Sequence, residues 1–191
     1  VLQNIFMVVS TGLRNHDYIM AHNLTFKRIG VYVWLLLTII GLVVTFIKVL
    51  DKRSNWFLVR TCGWAFFVVL LASSTVNWNR FITTYNIEAC KRNNTTLDVG
   101  YLVNLDYSNI PEMVEMIGTI EGEKADWFER DLYRKIRYFT KDYEGTTWRS
   151  WSLQKQRVYD FLKNRQQEQE FRAFFERNAD VELYSWLGGR Y

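Results

Sequence analysis

The chain has 191 residues, of which 49% are apolar and 23% charged, and these values near the average for folded proteins exclude a wholly disordered chain. Its formal charge of +4 is small and scattered, so no concentrated basic face points to nucleic acid as a partner. Proline occurs once, at Pro111. Because proline interrupts helices, its scarcity favours long helices over turn-rich β-sandwiches.

Charge divides the chain into two parts of different composition. Residues 1–76 contain seven basic and two acidic side chains, whereas residues 77–191 contain 17 basic and 18 acidic ones. A shift this sharp indicates a boundary between segments that lie in different surroundings.

The segment 29–47, IGVYVWLLLTIIGLVVTFI, has no ionisable side chain except Tyr32. As a helix it measures about 28 Å, close to the thickness of the hydrocarbon layer of a bilayer. The segment is apolar on all sides, and a chain of this size has too little core to surround such a helix if it were soluble. We predict a transmembrane helix with Tyr32 and Trp34 near the headgroups.

A second apolar segment follows closely. Its uncharged part, residues 61–76, is short for a span, but extension to 57–78 makes it long enough, with Arg60 reaching out to the headgroups. Trp56 and Trp78 then mark the two interfaces. A re-entrant or interfacial helix is the alternative, and the short link to the first span favours an antiparallel hairpin.

The basic residues indicate an orientation for this hairpin. Four of them lie in and around the turn, against three on each outer flank, which favours a cytoplasmic turn and a C-terminal part outside the cytoplasm. Residues 1–13 are again apolar and uncharged, and they lack the basic start and the cleavage site of a signal peptide. We interpret residues 1–27 as the end of an earlier hydrophobic segment plus a connector.

Residues 79–191 have the pattern of amphipathic helices. Apolar side chains at helical spacing predict helices over 124–143 and 152–177. Residues 97–105 fit either a helix or a strand, because apolar side chains alternate there.

Two boundaries in this half are predicted from single residues. Ser108 and Asn109 precede Pro111 as candidate caps of a helix that ends near Gly122. No helix breaker follows Trp78, so the second span is expected to continue into the polar residues after it.

The sequence has no motif that indicates catalysis or metal binding. His16 and His22 are its only histidines, their spacing does not place them on one helical face, and no cluster of cysteines or carboxylates accompanies them. His16 beside Asp17 fits a base with an orienting carboxylate, but a pair of solvated residues is the more ordinary interpretation. Cys62 and Cys90 would lie on opposite sides of the membrane and so could not pair. We expect no catalytic residue, no metal and no cofactor.

Four strings of residues resemble, in the same order, elements of a known family. They are HNLTFKRIGVYVWLLL at 22–37, NWNRFITTYNI at 77–87, LDVGYLVNLDYSNIPEM at 97–113 and WRSWSLQKQR at 148–157. Over residues 22–163 the chain resembles the C-terminal portion of a widespread bacterial family of multi-pass membrane proteins, known only as a domain of unknown function of the four-one-five-three or four-one-seven-three type. It departs from the family at Trp78, where relatives often have proline, and at Asn109, where many have Asp or Ala.

The resemblance implies further spans upstream and an inner-membrane location, and it supplies no reaction and no catalytic residues. The positions that carry it become candidate structural or interaction residues, namely Thr25, Arg28, Asn77, Tyr85, Asn86, Asp98, Tyr101, Pro111, Trp148 and Trp151.

These observations predict an all-α integral membrane protein, in which a transmembrane hairpin over 28–78 precedes a small membrane-proximal helical domain over 79–191. We expect a non-enzymatic interaction or sensory scaffold module, whose partners are the lipid bilayer and another protein or a second copy. The alternative is the C-terminal part of a transporter or lipid-handling enzyme. Its chemistry would lie in upstream spans, because neither span has an ionisable side chain near its centre.

Overall fold

The computed structural model describes residues 2–93, 97–120 and 123–179, and within these ranges the chain is helical and has no strand. A 3₁₀ turn at Tyr107–Asn109 precedes the sixth α-helix. The α-helices are α1 Leu2–His22, α2 Phe26–Leu50, α3 Asn55–Thr75, α4 Trp78–Asn93, α5 Val99–Val103, α6 Ile110–Val114, α7 Glu123–Glu144, α8 Leu153–Arg165 and α9 Gln169–Arg177. The predicted all-α class is confirmed.

The chain forms two compact units, Val1–Leu97 and Asp98–Tyr191. In the first unit, α2 packs against both α1 and α3. A short turn joins α2 to α3, and there the Ser54 hydroxyl accepts a hydrogen bond from the amide of Phe57 at 3.4 Å, which caps the start of α3. The apolar run at the start of the chain, residues 2–13, forms the first half of α1.

The two predicted spans correspond to α2 and α3, which are long and apolar enough to cross a membrane. Their most apolar windows have mean hydropathies of 2.5 and 1.7, and only 6% and 0% of those residues are buried within the chain. A core helix of a soluble protein would be covered by its neighbours. These two helices instead present their apolar side chains outwards.

The hydroxyl groups of the two threonines in α2 are satisfied by the helix itself. Thr38 donates to the carbonyl of Trp34 at 2.8 Å, and Thr45 donates to that of Gly41 at 2.7 Å. Such bonds remove the cost of placing a hydroxyl in an apolar medium.

The expectation that the second span continues into the following helix is wrong. α3 ends at Thr75, Val76 is extended, and α4 begins at Trp78. The side chain of Asn77 causes the new start, because its Oδ1 accepts from the amide of Arg80 at 3.2 Å as an N-terminal cap.

In the second unit, α7 packs against α5, α6 and α8. Its observed bounds match the predicted helix over 124–143 to within one residue at each end. Residues 97–105, which fitted either a helix or a strand, contain the short helix α5. The core of this unit consists of apolar side chains from all five α-helices, including Leu102, Met113, Phe128, Leu132, Ile136, Val158, Leu162 and Phe174.

Two helices of this unit are shorter than the sequence predicts. α6 includes Pro111 in its first turn but ends at Val114, after which the chain turns through Gly118 at φ 79°, a conformation that glycine adopts without strain. The predicted stop at Gly122 lies outside the described residues. The predicted helix over 152–177 is divided into α8 and α9, because Glu168 is extended and starts a new helix.

Candidate functional site

The chain between α1 and α2, residues 23–25, forms a tight connector that the rest of the first unit holds in place. Asn23 has a positive φ of 67°, a left-handed conformation that asparagine tolerates better than most residues and that commonly ends a helix. Thr25 is extended and caps α2, since its carbonyl accepts from the amides of Arg28 and Ile29, both at 3.1 Å. The connector therefore reverses the chain within three residues.

Asn86 of α4 binds both backbone groups of the central connector residue. Its Oδ1 accepts from the amide of Leu24 at 2.6 Å, and its Nδ2 donates to the carbonyl of Leu24 at 2.9 Å. Asn86 is only 1% exposed. Because a buried backbone group without a partner is costly, this side chain satisfies two groups that no helix can satisfy.

Three further side chains hold the connector or the first turn of α2 that follows it. The guanidinium of Arg28 donates to the carbonyl of Asn23. The thiol of Cys90 donates to the Oδ1 of Asn23 at 3.3 Å, and the Nδ2 of buried Asn15 donates to the carbonyl of Arg28 at 3.1 Å. Side chains from α1, α2 and α4 thus converge on the connector and the start of α2.

Beside the connector lies an apolar cavity of about 420 Å³, which we call the connector cleft. Aromatic rings of α4 stand in a row along it, since Trp78 meets Phe81 edge-on at 6.0 Å and Phe81 stacks on Tyr85 at 6.4 Å. The lining side chains come from α1, the connector, α2 and α4, and they are His16, Ile19, Leu24, Ile29, Tyr32, Val33, Leu36, Trp78, Phe81 and Tyr85.

Several candidate residues from the sequence meet at this place. Thr25, Arg28 and Asn86 form or hold the connector, and Tyr85 lines the cleft. Two residues predicted at a membrane interface, Tyr32 and Trp78, also line it, and the indole of Trp78 donates to the carbonyl of Ser73 at 2.8 Å. Asn77 caps the start of α4. Trp34 and Trp56 are largely exposed on α2 and α3 and take no part in the cleft.

The other candidate residues belong to the second unit and do not form one cluster. Asp98 caps α5, since its Oδ1 accepts from the amide of Tyr101 at 3.0 Å. Pro111 lies in the first turn of α6. Trp148 and Trp151 lie between α7 and α8 and are 84% and 52% exposed.

A polar cluster around Lys135 was not predicted. Its Nζ donates to the carbonyls of Val103 and Leu105, at 3.1 and 2.7 Å, and to the Oδ1 of Asn109 at 2.7 Å. These acceptors match the three donors of an ammonium group. The side chain of Asn109 donates in turn to the carbonyl of Leu102 at 2.9 Å, so Asn109 occupies the N-cap position of α6 as the sequence suggested but gives it no side-chain cap hydrogen bond.

The sequence does contain a signal for this cluster. Lys135 lies three residues after Leu132 and four before Phe139, and it therefore falls within the apolar stripe of α7. Burial lowers the pKa of Lys135 to about 7, and the carboxylate of Asp106 opposes that shift. Its Nζ contacts backbone carbonyls and the side-chain amide oxygen of Asn109, and these contacts tie α5 and the turn after it to α7.

Two other groups, Asp131 and Lys155, have pKa values that are shifted by burial or by a hydrogen bond to a group of opposite charge. Burial raises the pKa of Asp131, and the guanidinium of Arg134, 3.0 Å away, opposes this. The hydrogen bond from Lys155 to Asp142, at 2.7 Å, raises the pKa of Lys155.

Among the described residues, no group of three or more His, Cys, Asp or Glu side chains is placed to hold a metal ion. The hydrogen bonds at the connector and those around Lys135 both hold separate segments of the chain together.

The profile of the family described as "Domain of unknown function (DUF4153)" matches residues 1–116. The chain belongs to this family. The match confirms the family resemblance, includes the whole connector and cleft, and ends before the Trp148–Trp151 string, which had also suggested it. No curated protein and no solved structure matches the chain.

Proposed function

We propose that the chain is part of a multi-pass protein of the bacterial inner membrane, and that it acts as a non-enzymatic interaction or sensory scaffold module. In this proposal the α2–α3 hairpin crosses the bilayer, and residues 98–179 form a helical unit that it anchors and that binds a protein partner or a second copy.

One observation carries the membrane part of the proposal, namely that α2 and α3 are strongly apolar and that almost no residue of their most apolar windows is buried within the chain. Such helices are unstable in water, because they would leave a large apolar surface in contact with solvent. Lipid is the medium in which both helices are stable, because it covers their apolar side chains and their backbone groups are already paired internally.

The anchored unit has features of a small domain that presents a surface. It has its own buried core, and its loop between α7 and α8 exposes Trp148, with the guanidinium of Arg149 lying over its ring at 5.3 Å from the centroid. Tryptophan and arginine are enriched at binding interfaces. This loop is the place where we expect a partner protein to touch the unit.

Site-specific photocrosslinking in cells tests the interaction. A benzophenone amino acid at position 148 or 151 is expected to give one discrete protein adduct, with a matched control at Lys163, which is exposed on α8. The chain extracted gently from native membranes should then run as a complex of fixed stoichiometry. A solitary monomer without an adduct at position 148 or 151 contradicts the interaction part of the proposal.

The connector cleft favours a second candidate function, the C-terminal part of a transporter or lipid-handling membrane enzyme. An apolar cavity with a few polar groups is the usual form of a small-molecule site. Reconstituted vesicles that contain the full-length protein distinguish this candidate, since transfer or modification of a labelled lipid favours it and a protein adduct without such activity favours the scaffold.

A further inference from the structure

We propose that the connector cleft binds one acyl chain of an anionic phospholipid of the bilayer, whose headgroup lies at the end of the hairpin where α2 begins. This inference rests on the proposed insertion of α2 and α3 into the membrane. It goes beyond that proposal because it assigns a specific lipid site.

The shape of the cleft fits a flexible hydrocarbon chain. It is lined along α2 by Ile29, Val33 and Leu36, which share one helical face. These positions extend over about 10 Å of helix, and the row of α4 rings forms a wall beside them. Its volume of about 420 Å³ lies in the range of small-molecule pockets, roughly 300–1,000 Å³.

The position of the cleft on the hairpin makes the bilayer the source of the ligand. α2 begins at Phe26 and α3 ends at Thr75, so in an antiparallel pair both helices reach the same end there. The cleft lies within the first half of α2, which corresponds to one half of the hydrocarbon layer. Tyr32 and Trp78 line it, and such rings prefer the headgroup region.

Basic residues close to the cleft in the sequence favour an anionic headgroup. The segments 14–36 and 76–85, which contain the residues of the cleft, hold four basic residues and one acidic residue. The basic residues are Arg14, Lys27, Arg28 and Arg80. Basic clusters next to a membrane attract anionic lipids, so phosphatidylglycerol should bind in preference to the zwitterionic phosphatidylcholine.

The chain offers a matched control at the other end of the hairpin. A groove of about 380 Å³ lies on α3 alone and is lined by Trp56, Val59, Arg60, Gly63, Trp64 and Phe67. It is apolar and lies near basic residues, but a single helix forms it. A lipid that merely coats the hairpin should occupy the groove as readily as the connector cleft.

The experiment uses full-length protein, delipidated in detergent and titrated with phosphatidylglycerol or phosphatidylcholine, with bound lipid counted by native mass spectrometry. We expect one phosphatidylglycerol per chain, retained at least tenfold better than phosphatidylcholine. Leu36→Trp should fill the cleft and lower phosphatidylglycerol occupancy at least tenfold, whereas Val59→Trp in the α3 groove should leave it unchanged. Lys27→Gln with Arg80→Gln should abolish the preference for the anionic lipid.

Three results would overturn the inference. They are equal retention of both lipids, equal effects of Leu36→Trp and Val59→Trp, and crosslinking of a benzophenone placed at position 36 to protein instead of lipid. Extraction of the same membranes with alkaline carbonate separates this failure from failure of the proposed function. A chain that stays in the membrane without a bound lipid refutes only the cleft assignment, and a chain released without detergent refutes the membrane proposal itself.

Discussion

Asn86 binds the amide and the carbonyl of Leu24 with the two ends of one side-chain amide, across 62 residues of sequence. The bonds measure 2.6 and 2.9 Å and are buried. Through them α4 fixes the reversal of chain between α1 and α2. The connector cleft borders the same residue, so its shape depends on this contact.

Replacement of Asn86 by alanine should destabilise the first unit. Two backbone groups of Leu24 lose their partners, and each buried group left unsatisfied costs about 1–3 kcal/mol. We expect a lower unfolding temperature in detergent, measured by circular dichroism. Thr84→Ala, at an exposed position on the same helix, is the control and should have little effect. Equal stability of Asn86→Ala and the wild type would refute the structural role of this contact.

A charge at the centre of α2 should prevent stable insertion. Ile39 lies near the middle of this helix and is 46% exposed. Arginine at the centre of a span costs about 2.5–3.5 kcal/mol on insertion scales, so Ile39→Arg should lower the fraction of protein that resists carbonate extraction. Leu153→Arg, at a similarly exposed apolar residue in the second unit, is the matched control and should remain in the membrane. Identical behaviour of the two variants would contradict the assignment of α2 to the bilayer.

Loss of the amine of Lys135 should weaken the second unit. Lys135→Met leaves the carbonyl of Leu105 and the Oδ1 of Asn109 without this donor, which we expect to lower the stability of the unit by about 1–3 kcal/mol. Lys163→Met, at an exposed position of α8, is the control. Hydrogen exchange of the amides of α5 and α7 would report the loss locally.

The same lysine predicts a dependence of stability on pH. Below about pH 7 its amine is protonated in both the folded and the unfolded chain, and above its folded pKa of about 7 only the unfolded chain retains the proton. The free energy of unfolding should therefore rise between pH 7 and 9, by at most about 1.4 kcal/mol per pH unit. Lys135→Met should lack this rise, and the difference between the wild type and the variant isolates it from other titrating groups. A difference that shrinks as the pH rises would show the sign to be wrong.

The distribution of basic residues predicts the orientation of the hairpin. In a background without Cys62 and Cys90, Asn55→Cys reports the turn and Lys163→Cys reports the second unit. We expect a membrane-impermeant maleimide to label Lys163→Cys in intact spheroplasts and Asn55→Cys only after permeabilisation. Serine at position 90 keeps a donor for Asn23 and so preserves the connector. The reverse labelling pattern would place the turn outside the cytoplasm.

Patterns among neighbouring residues in the sequence predicted the long helices α2, α3 and α7. Uncharged runs identified α2 and α3, and apolar residues at helical spacing identified α7 almost to its ends. These predictions succeed because the length of an apolar run and the period of a helix are properties of neighbouring residues. The breaks at Asn77 and Glu168 escaped prediction, since both residues also fit the interior of a longer helix.

The sequence by itself determined the helical class, the apolar hairpin and the family of this chain, because composition and order of residues are sufficient for each. Only the tertiary structure decided which polar residues act together. Asn86 with Leu24, and Lys135 with Asn109, are separated by 62 and 26 residues, and nothing in the local pattern of either partner specifies the other. Buried backbone groups must find partners somewhere in the fold, and packing determines which side chain reaches them.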